Sequence, residues 1–136
     1  MGVGNRVVAA LLQSPAHRLL SGSVDLVRYT GRRTGRTITT PTQFARVGDH
    51  VVILVGRPDT KTWWRNFTDG RDLAVLLGRR WQPMRGVAVV GADDPKAATP
   101  LLEGYLDRWP KAGRALQGAT VAEKVRSAVF VDCRPR

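Results

Sequence analysis

The sequence predicts a mainly β chain of the α+β class, a small and mostly antiparallel barrel with helices at its start and a helical pair before its last strand. Three observations predict it. Short runs rich in β-branched residues recur along the chain, divided by glycine-containing turns. Apolar residues at helical spacing are confined to residues 5–13 and 98–116. The 136 residues form one domain, 1–136, large enough to bury a core without disulfide staples.

Taken in order, residues 5–13 set Val7, Val8, Leu11 and Leu12 on one helical stripe, and Ser14-Pro15 reads as the start of a second short helix that carries His17. Residues 23–30 alternate as a first strand. Thr30 to Arg36 is a basic hairpin turn, in which Gly31 and Gly35 let the backbone approach a ligand. Residues 36–47 are β-branched, with Pro41 demoting that point to a bulge or an edge. Gly48-Asp49 turns the chain into 50–56, a continuously apolar run that reads as a strand buried on both faces, with His50 exposed at its start. Arg57-Pro58 ends that strand, and Thr60 to Phe67 reads as one short helix capped by Thr60, with Trp63 and Phe67 sharing a face. Of the adjacent Trp63 and Trp64, one packs inward and the other borders a cavity. Residues 72–78 and 82–90 form a second hairpin, with Arg79 to Trp81 at its turn. Asp93-Asp94-Pro95 starts a helix whose stripe is Leu101, Leu102, Tyr105, Leu106 and Trp109, and Pro110 breaks it in two. Residues 127–135 supply a closing strand, in addition to the about five strands read before the helical pair.

Twenty-two Lys and Arg against 11 Asp and Glu give a net charge of +11, so the expected ligand is anionic. Only Lys61, Lys96, Lys111 and Lys124 are lysines. Arginine favours forked contacts to phosphate and carboxylate over a diffuse charge. Cys133 is the only cysteine, which excludes an internal disulfide or a cysteine-built zinc site and fits a cytoplasmic location. The sequence holds no long uncharged apolar run, and the mean hydropathy is −0.21. No nucleophile elbow, Walker-type loop or metal-ligating histidine cluster is present, so a bound cofactor is expected to carry any chemistry, and no catalytic side chain is named.

YTGRRTGR at residues 29–36, Pro41, and the strand leading into VGRPDTKTWWRNF at residues 55–67 resemble the deazaflavin-dependent nitroreductase family of actinobacteria. The resemblance implies a split β-barrel of the FMN-binding, pyridoxamine-phosphate-oxidase-like kind. It also implies coenzyme F-420, a deazaflavin with a phosphodiester and an oligoglutamate tail, with FMN as second choice. Carried onto this chain, Arg32, Arg33, Thr34 and Arg36 would hold phosphate and tail around Gly35, and Arg57 would reach the phosphate. Pro41, Val55 and Gly56 would lie beside the ring, and Lys61, Trp63, Trp64 and Asn66 would close that end. Tyr105 and Trp109 would border the substrate. The family's nitroreductases follow the long helix with tyrosines where this chain has Trp109-Pro110. The implied activity is therefore hydride transfer to a small-molecule electron acceptor such as a quinone or another electrophile. Monomers and homodimers both occur among such barrels, and peripheral membrane contact stays open.

The competing reading is a non-enzymatic module of the same fold holding a lipid, another flavin or haem, or nucleic acid. Nucleic acid is not expected, because aromatics are not interleaved with the basic turn as stacking platforms require.

Overall fold

The computed structural model describes residues 24–136. The helices expected before residue 23, and His17 with them, lie outside the described residues. Seven antiparallel strands form one sheet in the order β2-β1-β5-β6-β7-β4-β3. They are β1 (Val24–Thr30), β2 (Thr37–Gln43), β3 (Ala45–Val47), β4 (His50–Leu54), β5 (Arg71–Leu77), β6 (Arg80–Val90) and β7 (Val129–Pro135).

The two edges of this sheet are consecutive pieces of one chain. β2 runs along β1 from Thr37 opposite Thr30 to Gln43 opposite Val24. After Phe44 the chain joins the far edge, where Ala45 lies opposite Val52. The sheet therefore curls back on itself. Two strands were expected from residues 36–47 and 50–56; the first is divided at Phe44, which makes seven strands where about five and a closing one were expected.

Phe44 leaves the ladder at this corner, and its freed carbonyl accepts a hydrogen bond from the Trp109 indole N–H at 2.8 Å. A buried carbonyl without a partner would be costly. Continuing the β3–β4 register would bring Gln43 opposite Leu54 and Pro41 opposite Gly56, but β2 is bonded to β1 alone. Pro41 has no N–H to give to a strand on that side. The wall is thus open along the line between β2 and β4. Pro41 sits on an edge, in unbroken register with Leu26.

The interior is filled by Val27, Tyr29, Val51, Ile53, Phe67, Val75 and Val131. A second apolar cluster lies between the sheet and α1 (Pro95–Arg108), built on Leu101, Leu102, Tyr105 and Phe130. The Asp94 carboxylate caps α1 by accepting from Ala97 N–H, as the Asp-Asp-Pro signal predicts. After Trp109 the chain forms a 3-10 turn, Pro110–Ala115, and then a short helix, α2 (Val121–Val125). The second member of the expected helical pair is therefore a 3-10 turn, because Pro110 cannot continue α-helical bonding. β7 is central and buried, with Cys133 wholly inside. No helix among the described residues is long and apolar enough to cross a membrane.

Thr60 to Phe67 differs from the single helix expected. It consists of two 3-10 turns, Pro58–Thr60 and Trp63–Phe67, and Thr60 ends the first instead of capping a helix. Its hydroxyl donates to the Arg57 carbonyl. The second turn plugs the barrel end with Phe67, fully buried, its ring 5.2 Å from Tyr29 and 6.2 Å from Trp63. His50 is not at an edge: β4 lies between β7 and β3, and His50 Nδ1 stands 2.8 Å from buried Asp132. Phe67→Ala is expected to lower the unfolding free energy by about 3–5 kcal/mol, the range for emptying a buried phenylalanine site. Urea titration of the two proteins checks it.

Candidate active-site cleft

The open line between β2 and β4 is a cleft of about 420 Å³. Ile38, Thr40, Pro41 and Thr42 of β2 form one wall, and Ile53, Val55 and Gly56 the other. Tyr29 lies at its back, and Lys61 and Trp63 close one end. A methyl group on Gly56 would stand 3.7 Å from Lys61 Nζ, so the ammonium folds over the end of β4. β2 lacks a strand partner on the side facing the cleft. Its main chain is therefore available to bond a planar polar ligand. Burial holds the Tyr29 phenol above its ordinary pKa, so it is neutral here at pH 7.

A second hollow of about 200 Å³ shares Tyr29, Ile38 and Trp63 with the first and reaches Arg32, Arg33 and Thr34. Among the described residues, no acidic side chain lines either space. Among the described residues, Arg32, Arg33, Arg36 and Arg57 have no carboxylate partner. This arrangement leaves their forks for a ligand's phosphate or carboxylates. The fit to a deazaflavin is thus physical: apolar walls and an open strand edge for the rings, and adjoining unpaired guanidiniums for the polyanionic tail.

The basic turn itself is less of an anion cradle than its glycines suggest. Gly31 N–H donates to Arg36 O, Gly35 N–H to Gly31 O, Arg36 N–H to Thr34 Oγ1 and Arg32 N–H to Asn66 Oδ1. Within residues 31–36 only the N–H groups of Arg33 and Thr34 lack an internal acceptor. Only Gly35, at φ 68°, uses the left-handed conformation. The side chains, more than the backbone, are the anion-binding groups here.

Of the residues expected at the site, Pro41, Val55, Gly56, Lys61 and Trp63 line the cleft, and Arg32, Arg33, Thr34 and Asn66 line the adjoining hollow. Gly35 and Arg36 complete the exposed turn. Arg57, which follows the cleft-lining Gly56 in the chain, is exposed with φ 49°, a left-handed conformation unusual for a side-chain-bearing residue. Its carbonyl accepts from both the Thr60 N–H and hydroxyl, which pins the corner.

Three residues go elsewhere. Trp64 points into the core, with its indole N–H bonded to Pro58 O at 3.0 Å, because successive residues of a 3-10 turn face different ways. Tyr105 packs edge-on against Phe130 in the cluster under α1, and burial pushes its phenol up to about 12. Trp109 is the clasp on Phe44. Neither Tyr105 nor Trp109 lines the cleft among the described residues, which corrects the substrate-pocket expectation. Asn66 spends its amide internally, accepting from Arg32 N–H and donating to Trp63 O, both at 2.7 Å.

Sequence reasoning missed Tyr29, Ile38, Thr40 and Thr42 as walls, although the alternation of residues 36–43 against residues 24–30 is a signal that could have found them. It also missed Arg71, whose guanidinium bonds Asn66 O and Thr30 O and ties the basic turn to the plug.

A family described as F420H(2)-dependent quinone reductase matches residues 7–117. The chain belongs to this family. It is accordingly an F420H2-dependent reductase, and the reaction is hydride transfer from the reduced deazaflavin to a quinone or a similar acceptor. No curated protein sequence matches the chain. Among solved structures, an F420-H2 dependent reductase, FDR-A, is 13% identical, with a TM-score of 0.61 over 81% of this chain and 93% of its own. A domain-swapped dimer is 12% identical, with a TM-score of 0.60 over 93% of this chain and 99% of its own. The FAD and haem binding protein from Mycobacterium smegmatis is 18% identical, with a TM-score of 0.53 over 91% of this chain and 67% of its own. At these identities the likeness shows the fold alone.

One carboxylate beside the cleft is out of the ordinary. Asp25 is fully buried; its Oδ1 accepts from the Thr42 hydroxyl, and its Oδ2 has no hydrogen-bond partner. Burial raises its pKa from 3.8 to about 7, against the lowering effect of the Thr42 bond. The folded state thus holds this proton where the unfolded chain releases it. Stability from this group is therefore present below the unfolded value and lost as pH rises toward about 7. Asp25→Asn removes that dependence. Its gain in unfolding free energy over the wild type is expected to grow between pH 4 and pH 8 by on the order of 4 kcal/mol, read by urea unfolding at both pH values.

Proposed function

We propose that the cleft between β2 and β4 is the deazaflavin site, in a split β-barrel of the pyridoxamine-phosphate-oxidase-like kind, and that this chain reduces a quinone-class acceptor there. The observation that carries the reading is the junction of an apolar, acid-free cleft with a hollow bordered by unpaired arginines. Coenzyme F-420, when bound, supplies a hydride donor at the carbon that replaces the flavin N5.

The chain's own residues do the rest. Arg32, Arg33 and Arg36 neutralise phosphate and tail carboxylates, and Arg57 reaches the phosphate from the cleft mouth. Asn66 and Arg71 hold the basic turn against the plug, so the guanidiniums start from a fixed base and less order is lost on binding. Val55, Gly56 and Pro41 flank the ring, with the bare Gly56 backbone allowing close approach. Trp63 and Lys61 exclude water from that end, which strengthens the polar contacts inside. Trp64 supports the wall from behind. Tyr29, neutral and part of the cleft lining, offers a phenol that can donate a hydrogen bond to an acceptor oxygen.

Titration of the protein with oxidised coenzyme F-420, followed by its fluorescence, with FMN as control, is expected to show saturable binding of the deazaflavin alone. Arg32→Ala and Arg57→Ala should each weaken it by about 1.5–3 kcal/mol, the range for hydrogen bonds to charged groups. The affinity should also fall with added salt. Failure to bind, or unchanged affinity in both variants, would remove this site.

A further inference from the structure

Reduction of a quinone by hydride leaves a hydroquinone anion that needs one proton, and the cleft lining contains no acid among the described residues. A buried carboxyl group stands behind one residue of the wall. Asp25 and Thr42 are directly opposed in the β1–β2 register, with their side chains on one face of the sheet. That face continues through Val27 and Thr40 to Tyr29 and Ile38, and Thr40, Tyr29 and Ile38 line the cleft. Thr42 therefore has two neighbours. Its hydroxyl touches buried Asp25, and the residue itself stands in the cleft wall.

We propose that Asp25 is the proton reservoir of the reaction and that Thr42 relays its proton into the cleft; this rests on the quinone-reductase reading above. The hydride brings its electron pair to the quinone, and the resulting hydroquinone anion takes the hydroxyl proton of Thr42. With Asp25 protonated the hydrogen bond turns round, the hydroxyl rotating to accept from the carboxyl, so Thr42 Oγ1 takes the carboxyl proton of Asp25 in the same movement. Asp25 is left as a carboxylate, and it recovers one proton along the same path from water that fills the cleft after product release. One hydride from the reduced coenzyme and one proton from the protein are consumed per quinone reduced; the proton that the coenzyme would lose on oxidation passes to the cleft water, and the protein is restored.

The environment of Asp25 suits this cycle. The titratable groups that face it are Tyr105 of α1 and Cys133 of β7, both held protonated by burial, and no cation pairs with it among the described residues. A reservoir of this kind is charged at neutral pH only in part, which is the condition for giving and regaining a proton. The second oxygen, Oδ2, has no hydrogen-bond partner among the described residues, and Thr42 is the one side chain that bonds the carboxyl there, beside its own backbone N–H. A purely structural aspartate would use both.

Two measurements test this. In coenzyme-free protein labelled with 13C at the aspartate carboxyls, one resonance is expected to titrate near neutrality. It should be missing from Asp25→Asn and moved to higher pH in Thr42→Val, which removes the bond that favours the carboxylate. In turnover with reduced coenzyme F-420 and a soluble quinone, the wild-type kcat should fall as pH rises through neutrality. Thr42→Val should lower kcat by about a hundredfold, within the usual range for general-acid catalysis, with that pH limb lost, and Thr42→Ser should restore both. If Asp25→Asn does not fold, the wild type and the Thr42 pair still decide the matter. A wild type that reduces no quinone overturns the proposed function and this inference with it. A wild type that does, with every aspartate ionised by pH 5.5 or with Thr42→Val at full kcat, overturns this inference alone.

Discussion

The hydrogen bond from the Trp109 indole to the Phe44 carbonyl is small in energy but sits where the architecture turns on itself. At Phe44 one strand stops serving β1 and begins serving β4, so a single corner converts an open sheet into a curled wall. A corner of this kind breaks the ladder and frees a carbonyl in an apolar place. An indole N–H suits that place because it adds a donor while filling space. The helix that bears Trp109 is held over the sheet by Leu101, Leu102 and Tyr105. Helix, corner and barrel closure are therefore one unit, and the cleft is what remains where closure is incomplete.

The site follows from that geometry. β2 departs from β4 beyond Phe44, and Pro41 gives it no N–H with which to return. The gap exposes strand edge and apolar side chains together, a combination that a buried sheet otherwise hides. Cations are supplied from outside, by the β1–β2 turn and by the end of β4. Among the described residues they are not paired with acids: the ion pairs of Asp72 and Asp132 lie with Arg85, Arg136, Arg134 and His50. The charge around the cleft stays positive because the chain spends its carboxylates elsewhere.

Much of this was legible in the residues. The alternating and continuous apolar runs located most strands, Asp94-Pro95 located the long helix, and Pro41 was read correctly as an edge. The division at Phe44 was not legible, because residues 36–47 are rich in β-branched residues and read as one run, and a corner has no local signature when its cost is met by a side chain 65 residues away. The same limit explains Trp109 and Tyr105. Their helical stripe says that they face something, and only the tertiary arrangement says that it is a backbone carbonyl and Phe130. The two 3-10 turns were read as one helix because Trp63 and Phe67 meet at the same spacing in both. Asp25 passed unnoticed, since a lone acid in an alternating strand looks like a solvent-facing residue until the fold buries it against Thr42 of β2.

Cys133 has a practical consequence. Its thiol is fully buried between β4 and β6, and burial together with the nearby Asp25 and Asp132 raises its pKa far beyond the ordinary range. A protonated, sequestered sulfur is a poor nucleophile. Being the only cysteine in the sequence, it leaves the native protein silent toward maleimides and iodoacetamides. A cysteine installed at the exposed Arg33 or Asp59 would be the sole group to react. The chain can thus carry a single fluorophore or spin label beside the cleft with its own thiol left in place.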